Sequence, residues 1–364
     1  MKPCVNGRFM AAPRGGVRRF AEIVATAVLR EVGGVVLLPA GAPRPDPLPD
    51  GVEVRTGRLR GHLWEQIELP AAARRTGCDV VLHLANTAPV AGGPHVVTVH
   101  DVTPLTDPRW FGRSYAGWHR RVVRPALRRA AAILTVSRWS AMEIVRTLEV
   151  PPERVHTVEQ GAAPLDAPSP PDEVCATRRR LGLPERYLLA VGSRDPRKNL
   201  AFLGGVLDEM DACGLPPIPL VLVGGRDRRR VWAEPPAFPT GSRIVTVGEV
   251  DDRTLGALYT GASALCHPAL AEGFGRPPLE ALACGAPVVT APYGSAEEVL
   301  GDAAERVPLD PAAWAEALGR VLAEPPAARE VRRDRGRRQA ARHRWEDGVR
   351  RVLEVCRGVA GAVA

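Results

Sequence analysis

Two successive series of short apolar runs constrain the fold most tightly. In the first half they are residues 2–6, Val35–Leu38, Val80–Leu84, Val96–His100 and Ala132–Val136. Helically spaced stretches separate them: one running from Val17 through about Leu29, then 116–130 and 140–148. A strand buried on both faces reads as a continuous apolar run rather than an alternating one, as in parallel sheets covered by helices on either side. The second half repeats the pattern with Tyr187–Val191, Leu220–Val223, Ile244–Val247, Ala262–Cys266 and Val288–Thr290. Between the series, residues 162–172 are rich in Ala, Pro and Asp with little periodicity, as a connection would be. The 364 residues suffice for two ordinary α/β domains. The expected fold class is therefore α/β, with two doubly wound domains in tandem. Ligands of such sheets bind beyond the carboxyl ends of the strands.

Composition narrows the setting. Hydrophobic residues make up 45% of the chain, enough for full cores, yet no run reaches the roughly 18 apolar residues of a membrane span. The start, Met1–Arg8, lacks the apolar segment of a signal peptide. Seven cysteines without a paired framework suit a reducing cytoplasm, and no Cys-x-x-Cys or Cys/His cluster suggests zinc. The net charge of +8 is compatible with nucleotide sugars, an anionic membrane surface or nucleic acid. The arginines are spread along the chain without a recognition motif, which argues against nucleic acid. Lysine occurs only at Lys2 and Lys198, so Lys198 stands out in a chain that otherwise supplies arginine.

The chemistry concentrates in His267-Pro-Ala-Leu-Ala-Glu272-Gly273-Phe274-Gly275-Arg276-Pro277-Pro278-Leu279-Glu280-Ala-Leu-Ala-Cys284-Gly285. A buried strand gives way to a glycine-rich loop feeding a helix that is expected to open at Pro277 or Pro278. Glycine loops and helix starts offer free backbone N–H groups to an anion such as phosphate. A carboxylate accepts two hydroxyl hydrogen bonds at once. Glu272 in the loop and Glu280, expected in the helix's first turn, thus suggest a ligand carrying both phosphate and sugar diols. Helix electrostatics alone would account for Glu280 but not for Glu272.

This segment closely resembles the Glu-x7-Glu signature of the retaining glycosyltransferases of the family-four type (glycosyl transferases group 1). The resemblance covers almost the whole chain. It implies a GT-B fold, two Rossmann-like domains facing each other across a cleft. Residues 1–162 would form the acceptor-binding domain and 163–343 the nucleotide-sugar-binding domain, with a C-terminal helix in 344–364 packing back on the first. It implies that Glu272 touches the 3- and 4-hydroxyls of the donor sugar and Glu280 the ribose diol. Gly273, Phe274 and Gly275 would lie against diphosphate and sugar.

Other motifs fit the same pattern. Gly192 ends a strand and precedes Ser193-Arg194-Asp195-Pro196-Arg197-Lys198, with a helix expected near Asn199. Glycine and cations beside a helix start suit a diphosphate. Lys198 matches the family lysine, and the family arginine falls on Arg194 or on Arg197, Arg194 being favoured. The turn holding Val247 and Gly248 corresponds to the one that holds the base. Gly224–Arg228 is a further ligand-facing loop of open role. In the first half, Gly15 and Gly16 match the glycine loop that approaches the donor phosphate. His100-Asp101 resembles a family His-Asp segment, which implies that His100 contacts the donor sugar, a capping or packing role being the alternative, and that Asp101 lines the acceptor side or steadies the loop. Ser137 and Arg138 also follow a strand and reach the same side, although Ser137 equally reads as a helix cap.

The implied reaction moves a hexosyl group from a nucleoside diphosphate sugar, GDP-mannose first, to a hydroxyl with retention. Lys198, Arg194 and the helix dipole would stabilise the departing diphosphate, and Glu272 would position the sugar rather than attack it. No cofactor is expected beyond the donor. No Asp-x-Asp stands at a suitable strand end, so neutralisation by side chains rather than by a metal is expected; Asp251-Asp252 reads as a helix cap. The acceptor is a saccharide or lipid-linked saccharide, or alternatively a small molecule of antibiotic or secondary metabolism, where a pseudoglycosidic synthase using a UDP-, GDP- or dTDP-sugar also fits. The basic amphipathic segment Gly112–Arg129 suits either the inner face of an anionic membrane or a crossover helix with a solvated basic face.

Overall fold

The computed structural model describes residues 1–13, 15–46, 48–193, 195–225, 231–233, 239 and 241–362. The chain divides into two compact units, one of residues 1–108, 113–160 and 345–364, the other of 109–112 and 161–344.

The first unit holds β1 (Pro3–Asn6), β2 (Val35–Leu38), β3 (Glu53–Thr56), β4 (Val80–His83), β5 (His95–Thr98), β6 (Ala132–Thr135) and β7 (Val155–Thr157). All are parallel, in the order β3-β2-β1-β4-β5-β6-β7. The inner strands are buried along their whole length, as their apolar runs require. The helix Gly16–Val32 buries Phe20, Ala21, Val24, Ala25, Val28 and Leu29, a stripe with helical period. The last helix, Trp345–Gly361, belongs to this unit and buries Trp345, Val349, Val352, Leu353 and Cys356, with the Trp345 ring 5.8 Å from Phe20.

The second unit holds β8 (Leu188–Val191), β9 (Leu220–Val223), β10 (Ile244–Gly248), β11 (Ala264–His267), β12 (Val288–Thr290) and β13 (Glu305–Arg306). They too are parallel, ordered β10-β9-β8-β11-β12-β13. Trp314, Leu318 and Val321 of the helix Pro311–Ala323 pack with Leu203, Val206 and Met210 of the helix Phe202–Ala212 over one side of the sheet.

The structure differs from the sequence reading in several places. β3, β7 and β13 were not expected; all three are edge strands, and none is a buried apolar run. The Asn199 helix start is replaced by a 3-10 turn, Pro196–Lys198, ended by Asn199 at φ +50°, and the helix proper begins at Phe202. The helix after the glycine loop opens at Arg276, with Gly275 as its cap at φ +88°. Glu280 therefore lies beyond the first turn. In the segment Gly112–Arg129, Val123 and Leu127 join a core with Ile133 and Ile144 while Arg113, Arg120, Arg121, Arg128 and Arg129 are exposed. Its apolar side is engaged by the unit's own core.

Candidate active site

The second unit's site grows from the carboxyl ends of β8, β11 and β12. β11 runs into the Glu272–Gly275 loop, and β12 into Ala291–Ser295. The Ser295 hydroxyl donates to the Phe274 carbonyl at 3.1 Å, and that of Thr290 to the His267 carbonyl at 3.1 Å, tying the two loops together. Gly275 is required twice over: its φ of +88° disfavours side chains, and a Cβ there would fall 1.9 Å from the Tyr293 hydroxyl oxygen. Gly273, Phe274 and Gly275 are all buried. The Phe274 ring meets His343 edge-on, at 5.7 Å between centroids.

Lys198 reaches this loop from β8, its ammonium hydrogen-bonded to Glu272 Oε1. Gly192 lies under the lysine stem, where a Cβ would stand 3.3 Å from Lys198 Cγ. His267, the buried last residue of β11, faces the same carboxylate oxygen with Nε2 at 3.4 Å, without a hydrogen bond. Burial pushes the Glu272 carboxyl up, but its neighbours, the Lys198 ammonium foremost, outweigh it, and its pKa lies below the ordinary carboxylate range. Burial lowers the His267 imidazole, more than Glu272 raises it, so it is neutral at pH 7. Glu272 is thus an ionised acceptor for hydroxyls beside an ammonium suited to phosphate.

Glu280 is buried one turn into its helix. Arg276 Nη2 donates to its Oε1 at 2.8 Å and the Tyr259 hydroxyl to its Oε2 at 3.1 Å. The expected helix-terminal carboxylate is instead fixed in place by these two side chains. Arg197 is turned toward Asp195, whose Oδ2 lies 2.7 Å from Nη2, and its guanidinium stands 5.8 and 5.4 Å from the Phe111 and Trp232 rings. Arg194 lies outside the described residues, as do Arg226–Arg228 of the Gly224 loop. Val247 and Gly248 close β10, Gly248 at φ +85°, and Asp251 caps the next helix by accepting from the Thr254 N–H at 2.7 Å.

In the first unit, Gly15 and Gly16 are exposed at the start of the helix Gly16–Val32, whose N-cap has no side-chain hydrogen bond. His100 is buried: its N–H donates to Asn86 Oδ1 at 2.7 Å, Nε2 donates to the Leu84 carbonyl at 3.2 Å, and its ring meets Phe20 edge-on at 4.9 Å. Asp101 Oδ1 accepts from the Thr103 N–H at 3.0 Å. Ser137 is a buried N-cap, accepting from the Ser140 N–H at 3.0 Å, and Arg138 is exposed.

Sequence reasoning missed a dense polar cluster among the described residues. Asn6 and His83 end β1 and β4 in register. Asn6 Nδ2 lies 2.9 Å from Glu65 Oε1 and 3.0 Å from His83 Nδ1, and His83 Nε2 lies 3.0 Å from His95 Nδ1. Arg8 Nε and the Thr87 hydroxyl also donate to Glu65 Oε1, at 3.1 and 2.9 Å, and His62 Nδ1 stands 3.3 Å from Oε2. Burial raises the Glu65 carboxyl, but Arg8, His62, His83 and Asn6 together bring its pKa down to about 2. A polar residue closing each of two apolar runs was the available signal; Glu65 had none, since its partners are remote in sequence.

Comparison with known proteins identifies the family. Residues 14–164 match the family described as Glycosyltransferase Family 4, and residues 176–340 match Glycosyl transferases group 1. Over 263 residues the chain is 30% identical to O-antigen chain mannosyltransferase B of Escherichia coli, covering 69% of this chain and 67% of that one. Over 285 residues it is 26% identical to O-antigen chain mannosyltransferase RfbU of Salmonella typhimurium, covering 75% and 74%. Sucrose-phosphate synthase of Thermosynechococcus elongatus shares the fold across the full length of both chains, with a TM-score of 0.73 at 20% identity. With its two parallel-sheet units and its Glu272–Glu280 segment, the chain belongs to the group 1, family-four glycosyltransferases of GT-B fold and is a nucleotide-sugar glycosyltransferase.

Proposed function

We propose that the protein transfers mannose from GDP-mannose to a hydroxyl of a saccharide or lipid-linked saccharide, with retention at the anomeric carbon. The observation that carries this reading is the Lys198–Glu272 pair beside the Glu272–Gly275 loop, one cation and one ionised acceptor at the carboxyl edge of one sheet. The choice of mannose draws on the two mannosyltransferase relatives.

In this mechanism Lys198 leaves Glu272 for the diphosphate and offsets the charge that develops as the anomeric C–O bond breaks. Glu272 turns to the 3- and 4-hydroxyls, and Glu280, held by Arg276 and Tyr259, receives the ribose diol. The acceptor oxygen bonds to the anomeric carbon from the face the diphosphate leaves, and its proton passes to the departing phosphate oxygen. Positive charge for the leaving group comes from side chains, without a metal. With a lipid-linked acceptor, the exposed arginines of Gly112–Arg129 make electrostatic contact with an anionic bilayer.

The test is thermal protection by GDP, UDP, ADP and dTDP and their sugars, since a ligand that binds only the folded state raises the midpoint. GDP and GDP-mannose are expected to protect most. Protection by none of them would overturn the donor site, and protection by UDP-glucose alone would replace mannose.

A further inference from the structure

Two buried polar groups at the donor edge are short of hydrogen-bond partners within the described protein: the Tyr293 hydroxyl has none, and His267 Nε2 meets Glu272 Oε1 at 3.4 Å, outside good hydrogen-bond geometry. Both residues are more than nine-tenths buried, Tyr293 at 4% exposure and His267 at 2%. A buried polar atom left unpaired costs about 1–3 kcal/mol, so such atoms are rare without a reason. Neither belongs to the Glu-x7-Glu pattern. They are neighbours, their rings edge-on with centroids 5.4 Å apart. His267 ends β11 opposite Thr290, the last residue of the paired strand β12, and Tyr293 lies in the loop that follows β12.

Their surroundings fix where they point. The Tyr293 oxygen rests against Gly275, and His267 Nε2 faces Glu272 Oε1 at 3.4 Å. The Ser295 and Thr290 hydroxyls donate to the Phe274 and His267 carbonyls, and no described group hydrogen-bonds the Tyr293 oxygen. The Glu272 carboxylate also raises the Tyr293 pKa after burial has done so, which keeps the phenol protonated and able to donate.

We infer that Tyr293 and His267 read the donor hexose, each exchanging a hydrogen bond with a sugar hydroxyl seated against the Gly273–Gly275 turn. The inference rests on the donor reading above and deepens it by assigning sugar selectivity to two residues outside the signature. Glu272 holds hydroxyls as an ionised acceptor; Tyr293 supplies a neutral donor, and His267 a nitrogen whose role its tautomer sets. A site built to hydrogen-bond a hydroxyl discriminates strongly against sugars that lack it, because its own groups are then left unpaired.

Calorimetric titration of bare GDP and of GDP-mannose into wild type, Tyr293→Phe and His267→Gln separates the alternatives. UDP and UDP-glucose serve instead if wild type prefers them. Tyr293→Phe removes only an unpaired oxygen, so the ligand-free midpoint stays level or rises. GDP affinity stays within about twofold, while the advantage of GDP-mannose over GDP falls about tenfold, the size of one good hydrogen bond. His267→Gln retains a donor and loses less. An unchanged advantage in both variants overturns the inference while leaving the donor site intact. Wild type that binds no nucleotide or nucleotide sugar overturns the donor reading itself, and this inference with it.

Discussion

The carboxyl edges of the two sheets carry similar residue types organised to different ends. In the second unit the charges are arranged as exchangeable pairs: Lys198 on Glu272, Arg197 on Asp195. Glu272 and Lys198 each keep 17% of the side chain exposed. In the first unit Glu65 is fully buried and takes donors from Asn6, Arg8 and Thr87, with His62 alongside. A saturated carboxylate fixes a fold, whereas one held by a single flexible lysine can change partners. The proposed function puts donor chemistry in the second unit, and on that reading the first unit's cluster has a structural task.

The largest effect is expected where that structural task is removed. Glu65→Ala leaves Arg8 without its buried counter-charge, and breaking such a pair costs about 3–5 kcal/mol. Chemical denaturation of the variant should show it; a loss below about 1 kcal/mol would break the comparison. The same carboxylate sets an acid limit. Its folded pKa of about 2 lies below its unfolded value, so its stabilisation is complete above the unfolded pKa and is lost as pH falls toward 2. Denaturant midpoints measured from pH 6 to pH 2 should fall for wild type and fall less for the Glu65 variant.

Lys198→Ala comes next. Loss of a transition-state charge contact lowers turnover by roughly 10²-fold, close to 2.7 kcal/mol, while the fold persists. Steady-state kinetics with unchanged kcat and kcat/KM in a folded variant would remove Lys198 from the site. Glu280→Gln retains hydrogen bonds to Arg276 and Tyr259 but gives up the charge. It should weaken GDP binding about tenfold, the scale of a lost charge-assisted bond. Wild-type GDP affinity would leave Glu280 as an anchor for Arg276. The smallest effect belongs to Ser137→Ala, about 1 kcal/mol of stability from a lost N-cap, with kcat unchanged. A fall in kcat larger than the stability loss explains would move Ser137 from cap to acceptor contact.

These residues show how far local sequence carries. The inner strands were legible because burial on both faces imposes a continuous apolar run; β3, β7 and β13 were not, because an edge strand has no such requirement. The Glu272 loop was legible because glycines, prolines and acids act together over a few positions. The Glu280 setting was not: its partner Tyr259 comes from another helix, and Arg276 acts from the turn where prolines had drawn the helix start one residue too late. His100 and Ser137 occupied the strand-end positions where ligands bind, yet caps and packing use those positions too. Asn6, Glu65 and His83 meet only through sheet register and a crossover helix, which no short motif encodes.

The central claim is that the nucleotide diphosphate is held by the second unit. Hydrogen–deuterium exchange with and without GDP tests it directly, since bound backbone amides open and exchange more slowly. The account predicts slowed exchange at Gly192–Leu200, Val247–Val250 and Glu272–Gly285, with Gly7–Ala12 and the amides around Glu65 unchanged. Protection centred on the Asn6–Glu65–His83 cluster, with the Glu272 loop unaffected, would contradict it.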